Sequence, residues 1–233
     1  MTIKTMPNKL FSDNGLNQHA VFDLKELPSE VISKLSEHVE NIDEYTQLIL
    51  IANSGPKLWD KLQASGFQSE QPIDDFTISL IHQFFKETLA EHKYDIIYPS
   101  SFSVNLQKLG ELAGWHYASP FRIGINKVWG TWFAYRAVIL SNTHLPTTSK
   151  LQTASPCDQC VDKPCIKNCP TTALDTGTLE LKQCIDYRKQ ANSKCKDTCH
   201  ARVSCPIAKE QCYTKEQINY HYSISMKCID ELY

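Results

Sequence analysis

"SPCDQCVDKPCIKNCPTTAL" occupies residues 155–174. It sets Cys157, Cys160, Cys165 and Cys169 in a C-x2-C-x4-C-x3-C run, and Pro170 follows the last thiol at once. Thiols this close can form a disulfide framework, a zinc site or part of an iron–sulfur cage, and the fold of the C-terminal part depends on which. All ten cysteines of the 233-residue chain lie from Cys157 onward. The first stretch, "MTIKTMPNKLFSDNG", has no apolar segment of the secretory type, and the aliphatic run "LILIA" at residues 48–52 is far too short to span a bilayer. The expectation is a cytoplasmic chain with no membrane partner. A reducing compartment disfavours structural disulfides, so dense thiols there point to metal or redox chemistry.

The bacterial ferredoxin run is C-x2-C-x2-C-x3-C-P, in which the cysteine before the proline ligates the other of two clusters. The run at 157–170 differs by two extra residues between its second and third thiols. Such a run needs a second half, and "KCKDTCHARVSCPIAKE" supplies Cys195, Cys199 and Cys205, again followed by proline, Pro206. Its missing ligand is expected to be Cys184 in "KQCIDYR". Eight thiolates would then hold two [4Fe–4S] clusters in a crossed arrangement. Cys157, Cys160 and Cys165 would join Cys205, while Cys184, Cys195 and Cys199 would join Cys169. Zinc is the competing reading, because four thiolates and C-x2-C pairs also suit it. Nine Lys/Arg against seven Asp/Glu between Cys157 and Cys212 fit anionic clusters, and fit a solvated surface equally well. Cys212 and Cys228 fall outside the pattern and are expected to be inert, and His200 is expected to yield to the cysteines around it.

The cysteine-free part reads as mixed α/β. Val31, Leu35 and Val39 sit at helical spacing after Ser29, a candidate N-cap; "YTQLILIANSG" reads as a buried strand; "PKLWDKLQASG" reads as a short helix closed by Gly66. Phe76, Leu80, Phe84 and Leu89 form one stripe of a longer helix that Asp74 or Asp75 would cap. "YDIIYP" returns as a strand, "NLQKLGELAG" as a helix, and "FRIGIN" with "TWFAYRAVIL" as a strand pair. The alternation favours a layered α/β (α+β) sheet. The polar, proline-bearing tract at 141–156 is the candidate linker, which gives domains 1–145 and 146–233. Hydrophobic residues at 42% allow a sizeable core, and a formal net charge of −2 argues against a nucleic-acid partner held by phosphate contacts. A last helix is expected over "TKEQINYHYSISMKCIDEL", opened by Thr214 and Gln217.

Three segments in order carry a family resemblance. "LGELAGWHY" at 109–117 resembles the Ala-Gly-Leu-Gly-Trp turn of epoxyqueuosine reductases. "WGTWFAYRAVIL" at 129–140 resembles their Phe-Gly-Ser-Trp-Phe strand, and still more the Gly-Gly-Trp-Phe-Ala-Ile-Arg-Gly-Val strand of the cobalamin decyanase family. The two-run cysteine region follows in place. The resemblance implies a nitroreductase-like N-terminal domain that holds cobalamin, or a flavin in its stead, and a ferredoxin-like dicluster domain that feeds it electrons. It implies a cobalamin-linked oxidoreductase served by an electron-donor protein of ferredoxin or flavodoxin type. Trp132, Tyr135 and Arg136 become the candidate cofactor residues. By strand alternation Trp132, Ala134 and Arg136 would share one face, with Arg136 either on the cofactor or a charge at the sheet edge. The acidic segment that epoxyqueuosine reductases carry before the turn is replaced by "YPSSFSVNLQKL", where Ser100, Ser101 and Ser103 are the nearby protic groups. That departure, with no tRNA-holding extension expected, counts against epoxyqueuosine reduction itself. The alternative from another class is an electron-transfer module with no substrate of its own.

Overall fold

The computed structural model describes residues 6–7, 9–37, 39–100 and 104–233. They form two compact units. One holds the described residues up to Ala113 together with Phe133–Leu151, and the other holds Gly114–Trp132 with Gln152–Tyr233. The division is therefore not one cut near residue 145: the second unit also takes nineteen residues from the middle of the chain.

The first unit is built on a four-stranded antiparallel sheet in the order β1-β2-β4-β3, with β1 at Gln18–Asp23, β2 at Gln47–Ser54, β3 at Tyr94–Tyr98 and β4 at Phe133–Ser141. β2 is central because its sequence is apolar on both faces: all eight residues are buried, and Leu48, Ile49, Leu50 and Ile51 are 0% exposed. Burying each of those aliphatic side chains stabilises by about 1.5–3 kcal/mol. Helices α1 (Lys9–Asp13), α2 (Ser29–Ser36), α3 (Lys57–Ser65), α4 (Pro72–Thr88) and α5 (Leu106–Ala113) accompany the sheet, and α4 packs on β4, α3 and α1. Gly66 ends α3 at φ +66°, as its sequence suggests.

Several expectations are corrected. Ser29 is the first helical residue of α2 rather than its cap, and α4 begins at Pro72, which leaves Asp74 and Asp75 inside its first turn. β1 is added; it was hidden because only Ala20 and Val21 of "QHAVFD" are buried, so no alternation shows. "FRIGIN" makes isolated bridges only, Tyr117 to Ile125 and Asn126 to Gly130. β4 starts at Phe133, after a turn in which the Asn126 side-chain oxygen accepts from the main-chain N–H groups of Val128 and Trp129. Nor does the polar tract hang free over its first half. Gln47 exchanges hydrogen bonds with Leu145, at 2.7 and 2.9 Å, and accepts from Thr143. Val21 and Thr148 are also hydrogen-bonded to each other.

The second unit carries α6 (Pro164–Lys167), α7 (Leu181–Lys189), α8 (His200–Val203) and α9 (Lys215–Leu232). Thr214 caps α9 by accepting from the Gln217 N–H at 3.2 Å. One apolar cluster of this unit joins the buried Phe121, Leu174, Ala201 and Cys165, with Ile123, Ile166 and Leu179 packed against them, and Trp115, Trp129, Trp132, Ile185 and Tyr213 are buried elsewhere in the unit. Among the described residues no helix is long and apolar enough to cross a membrane.

Candidate metal centres and the bulged strand

Six of the eight expected ligands lie in irregular segments beside short helices, and two lie within helices. Cys157 and Cys160 precede α6, Cys165 lies in α6 and Cys169 lies just beyond it; Cys184 lies in α7; Cys195 and Cys199 precede α8 and Cys205 follows it. The thiols sort into two sets. Cys157, Cys160, Cys165 and Cys205 lie within electrostatic reach of one another, each with every other. Cys184 and Cys195 lie in reach of each other and of Cys169 and Cys199. Every one of these interactions pairs thiols within a set, and each set draws on both Cys-Pro runs.

Cys169, Cys184, Cys195 and Cys199 also line one cavity of about 180 Å³ with Phe121, Leu174, Leu179, Tyr187 and Ala201. Cys160 instead borders an open groove of about 900 Å³, beside Pro164, Pro206 and Ile207, and Val161 next to it is 93% exposed. The two sets thus differ in the space beside them, although the first has two buried thiols, Cys165 and Cys205, and the second has one, Cys195.

Hydrogen bonds aim at the sulfurs. The Arg202 N–H donates to Cys199 Sγ at 3.4 Å, the His200 N–H to Cys195, the Ile166 N–H to Cys165 and the Ile207 N–H to Cys205. The Tyr222 side chain also hydrogen-bonds Cys199, and Thr171 Oγ1 meets Cys169 Sγ at 3.5 Å. Burial, reinforced by neighbouring thiols, pushes Cys157 and Cys195 up to about 11 and raises Cys165, Cys184 and Cys205 as well. These groups stay protonated until something replaces the proton, and metal loading does so. Among the described residues no three His, Cys, Asp or Glu side chains converge where a single ion would bind. Zinc asks for all four sulfurs about 2.3 Å from one centre. A cubane asks for a wider cage, since each thiolate binds an iron at a different corner, and four thiols around one cavity fit that donor set.

Cys212 is half-buried and Cys228 exposed, both outside the two sets. The His200 ring is engaged with the Lys194 carbonyl at 3.0 Å.

The other candidate residues do not form one row. Trp132 belongs to the second unit and is 2% exposed, with the Arg202 guanidinium 4.3 Å over its ring and Tyr213 edge-on at 5.4 Å. Its face is covered by an arginine. Tyr135 and Arg136 lie in β4. Against β2, Ala137 pairs with Ile51 and Tyr135 with Ala52, so Arg136 is the extra residue of a β-bulge. A bulge ends the period-2 alternation and re-aims the side chain at its tip, which is why the shared face expected for Trp132, Ala134 and Arg136 does not form. Arg136 is not a sheet-edge charge either. β4 is an inner strand, Arg136 is 8% exposed, and its Nε donates to Asn53 Oδ1 at 2.7 Å.

Sequence order missed what surrounds Arg136. Asp74 of α4 faces it electrostatically, and Tyr98 of β3 feels both charges. Burial raises the Asp74 carboxyl and outweighs the opposing pull of Arg136. Glu111 of α5 faces Tyr135, whose phenol is raised first by burial and then by that carboxylate. The first unit therefore has carboxylates near its bulged strand, although the 98–109 loop has none. Ser100 bonds the Ile97 carbonyl, whereas Ser101 and Ser103 lie outside the described residues. One signal for the second unit was available: Arg188 follows Cys184 by four residues, which places both on one face of a helix.

No family model and no curated protein matches the chain. Solved structures do. Epoxyqueuosine reductase from Streptococcus thermophilus aligns at 15% identity and TM-score 0.51, covering 89% of this chain and 66% of that one. Its counterpart from Bacillus subtilis, solved with its catalytic loop swung out of the active site, gives 13%, 0.52 and the same coverage. The B12-trafficking protein CblC from C. elegans aligns over 91% of this chain and 87% of its own at 13% identity, but its TM-score of 0.41 carries no argument. The chain spans a little under two thirds of the length of the reductase structures it matches, and over that span it has their mixed α/β fold.

Proposed function

We propose that the protein is a redox protein of the reductase type, with two [4Fe–4S] clusters in its second unit and a second cofactor, cobalamin or flavin, at its first. The observation that carries this reading is the sorting of eight thiols into two sets of four, each drawing on both Cys-Pro runs. A local zinc ribbon has no reason to exchange a ligand between runs, while paired cubanes do.

In this reading Cys157, Cys160, Cys165 and Cys205 hold one cluster, and Cys169, Cys184, Cys195 and Cys199 the other. The clusters supply one-electron transfer. The protein's part is to exclude water around the second set, to direct N–H and O–H groups at its sulfurs, and to keep the thiolates paired with iron. Tyr135 and Arg136 are the residues proposed to meet the second cofactor, and Trp132 is not among them because Arg202 covers its ring. An electron-donor protein of ferredoxin or flavodoxin type is the partner proposed; neither a membrane nor a nucleic acid is. Epoxyqueuosine reduction is not proposed, since the substituted loop has no carboxylate before the turn.

The test is the metal content of protein purified without oxygen, expected at about eight irons and eight acid-labile sulfides per chain, two cubanes' worth. Stoichiometric zinc without sulfide would refute it. Titration with cobalamin and with flavin nucleotides tests the second cofactor: binding tighter than about 10 μM, roughly −7 kcal/mol, should be weakened by Arg136→Ala and left unchanged by Cys228→Ala. Loaded clusters with no binding of either would leave an electron-transfer module.

A further inference from the structure

Two arginines lie beside the second thiol set, Arg188 lining its cavity and Arg202 reaching Cys199 through its main-chain N–H, and neither forms an ion pair with a carboxylate among the described residues. Arg188 is 8% exposed. Its Nε donates to the Cys195 carbonyl at 3.0 Å, Nη1 to Ser225 Oγ at 2.9 Å and Nη2 to the Tyr222 carbonyl at 3.4 Å, and its Cζ stands 4.9 Å from the centre of the Tyr222 ring. Its charge acts on Cys184. Arg202 follows Cys199 by three residues. Its N–H reaches Cys199 Sγ, Nη2 donates to the Thr131 carbonyl at 2.6 Å, and its half-buried guanidinium stands 4.3 Å from the centre of the Trp132 ring and 5.2 Å from that of Tyr213, with Nε buried and unbonded; its charge also acts on Cys212. Both charges act on Tyr222, which bonds Cys199. A buried guanidinium without a carboxylate is costly unless an anion nearby balances it. The neutral carbonyls, hydroxyl and aromatic faces around these two hold them in place without neutralising them.

The first set has a different charge environment. Lys209 acts on Cys205, but Asp158 acts on Cys157 in the opposite sense, and Cys160 borders an open groove where solvent screens charge.

We propose that Arg188 and Arg202 are potential-setting residues that make the cluster held by Cys169, Cys184, Cys195 and Cys199 the more easily reduced of the two. The inference rests on the two-cluster reading above. A cubane bound by four thiolates is an anion, and reduction adds one further negative charge with no bond broken. The added charge is stabilised by fixed positive charge and by hydrogen bonds to sulfur, both of which set cluster potentials. An electron given to the first cluster by a one-electron donor would then settle on the second.

The test is a redox titration of the anaerobic, cluster-loaded protein, followed by electron paramagnetic resonance. The two centres are assigned by the signal lost in Cys195→Ala. Arg188→Gln and, separately, Arg202→Gln should shift the second centre tenfold toward its oxidised form, about 59 mV lower for one electron, and leave the first in place. Arg188→Lys, which keeps the charge, should recover most of the shift, and Tyr222→Phe should move the same centre in the same direction by less. Two intact clusters with potentials unmoved in the Gln variants, or moved equally, would overturn the inference alone. Absence of iron and sulfide from the wild-type protein would overturn the two-cluster reading and this inference together.

Discussion

Replacing Cys169 by alanine tests whether the two cysteine runs exchange a ligand. In sequence Cys169 closes the run begun by Cys157, yet its thiol acts on Cys184 and Cys195. The substitution removes one of four donors from the second set and none from the first. A cubane takes one thiolate per iron, so iron should fall from about eight to about four per chain, with sulfide in step. Cys205→Ala should cause the same loss from the other set. Iron and acid-labile sulfide, measured after anaerobic reconstitution, give the amount lost; electron paramagnetic resonance of the reduced protein says which centre remains. The residual spectrum of Cys169→Ala should match that of Cys195→Ala, and that of Cys205→Ala should match Cys157→Ala. If Cys169→Ala instead matched Cys157→Ala, the ligands would be sorted within each run and the crossed arrangement would be wrong.

Three further outcomes are expected. The metal-free protein should lose stability as pH rises from about 9 toward about 11, because burial holds the folded Cys157 and Cys195 thiols at about 11 and the unfolded thiols ionise near 9; thermal unfolding across that window checks it, and Cys157→Ser with Cys195→Ser should shallow the slope. His19, whose Nε2 is buried without a hydrogen bond, is pushed down by burial to about 4. Its contribution is therefore full above the ordinary histidine value near 6.5 and is lost as pH falls through about 4, on the order of 3 kcal/mol in all, and His19→Phe should flatten an acid unfolding curve over that range. Gly130 has φ +57°, and an added Cβ would stand 2.4 Å from the Ile207 carbonyl oxygen, two residues past Cys205. Gly130→Ala should cost about 1–3 kcal/mol through the backbone conformation alone and lower iron retention in the first set; a variant with wild-type melting and iron content would refute this.

How far the sequence reaches can be judged element by element. Local patterns carry their own physics, so β2 is readable from the apolar run Leu48–Ala52, α3 from its closing glycine, and α9 from Thr214. The two Cys-Pro runs are readable too, because the spacing of the thiols and the proline after the last one are local features of the chain. β1 was not, since an edge strand with only two buried residues shows no alternation. The bulge at Arg136 was not, because an extra residue is defined only against a partner strand far away in sequence, where Ile51 pairs with Ala137 and Ala52 with Tyr135. One misplaced residue flips every side chain before it to the other face, and the candidate cofactor row was lost there.

What the sequence determined by itself is the proposed donor set: the eight thiols, their order and the two Cys-Pro runs. Those follow from composition and spacing, which need no partner. What only the tertiary structure decided is the environment of each thiol. Arg188 and Arg202 are ordinary basic residues in the sequence. Arg188 becomes a buried charge and Arg202 a half-buried one, neither with a carboxylate partner among the described residues, once the chain around one thiol set packs. Asp74 likewise becomes a raised carboxyl only where α4 brings it to Arg136. Desolvation and through-space charge depend on everything packed within a few ångströms, whatever its place in the chain.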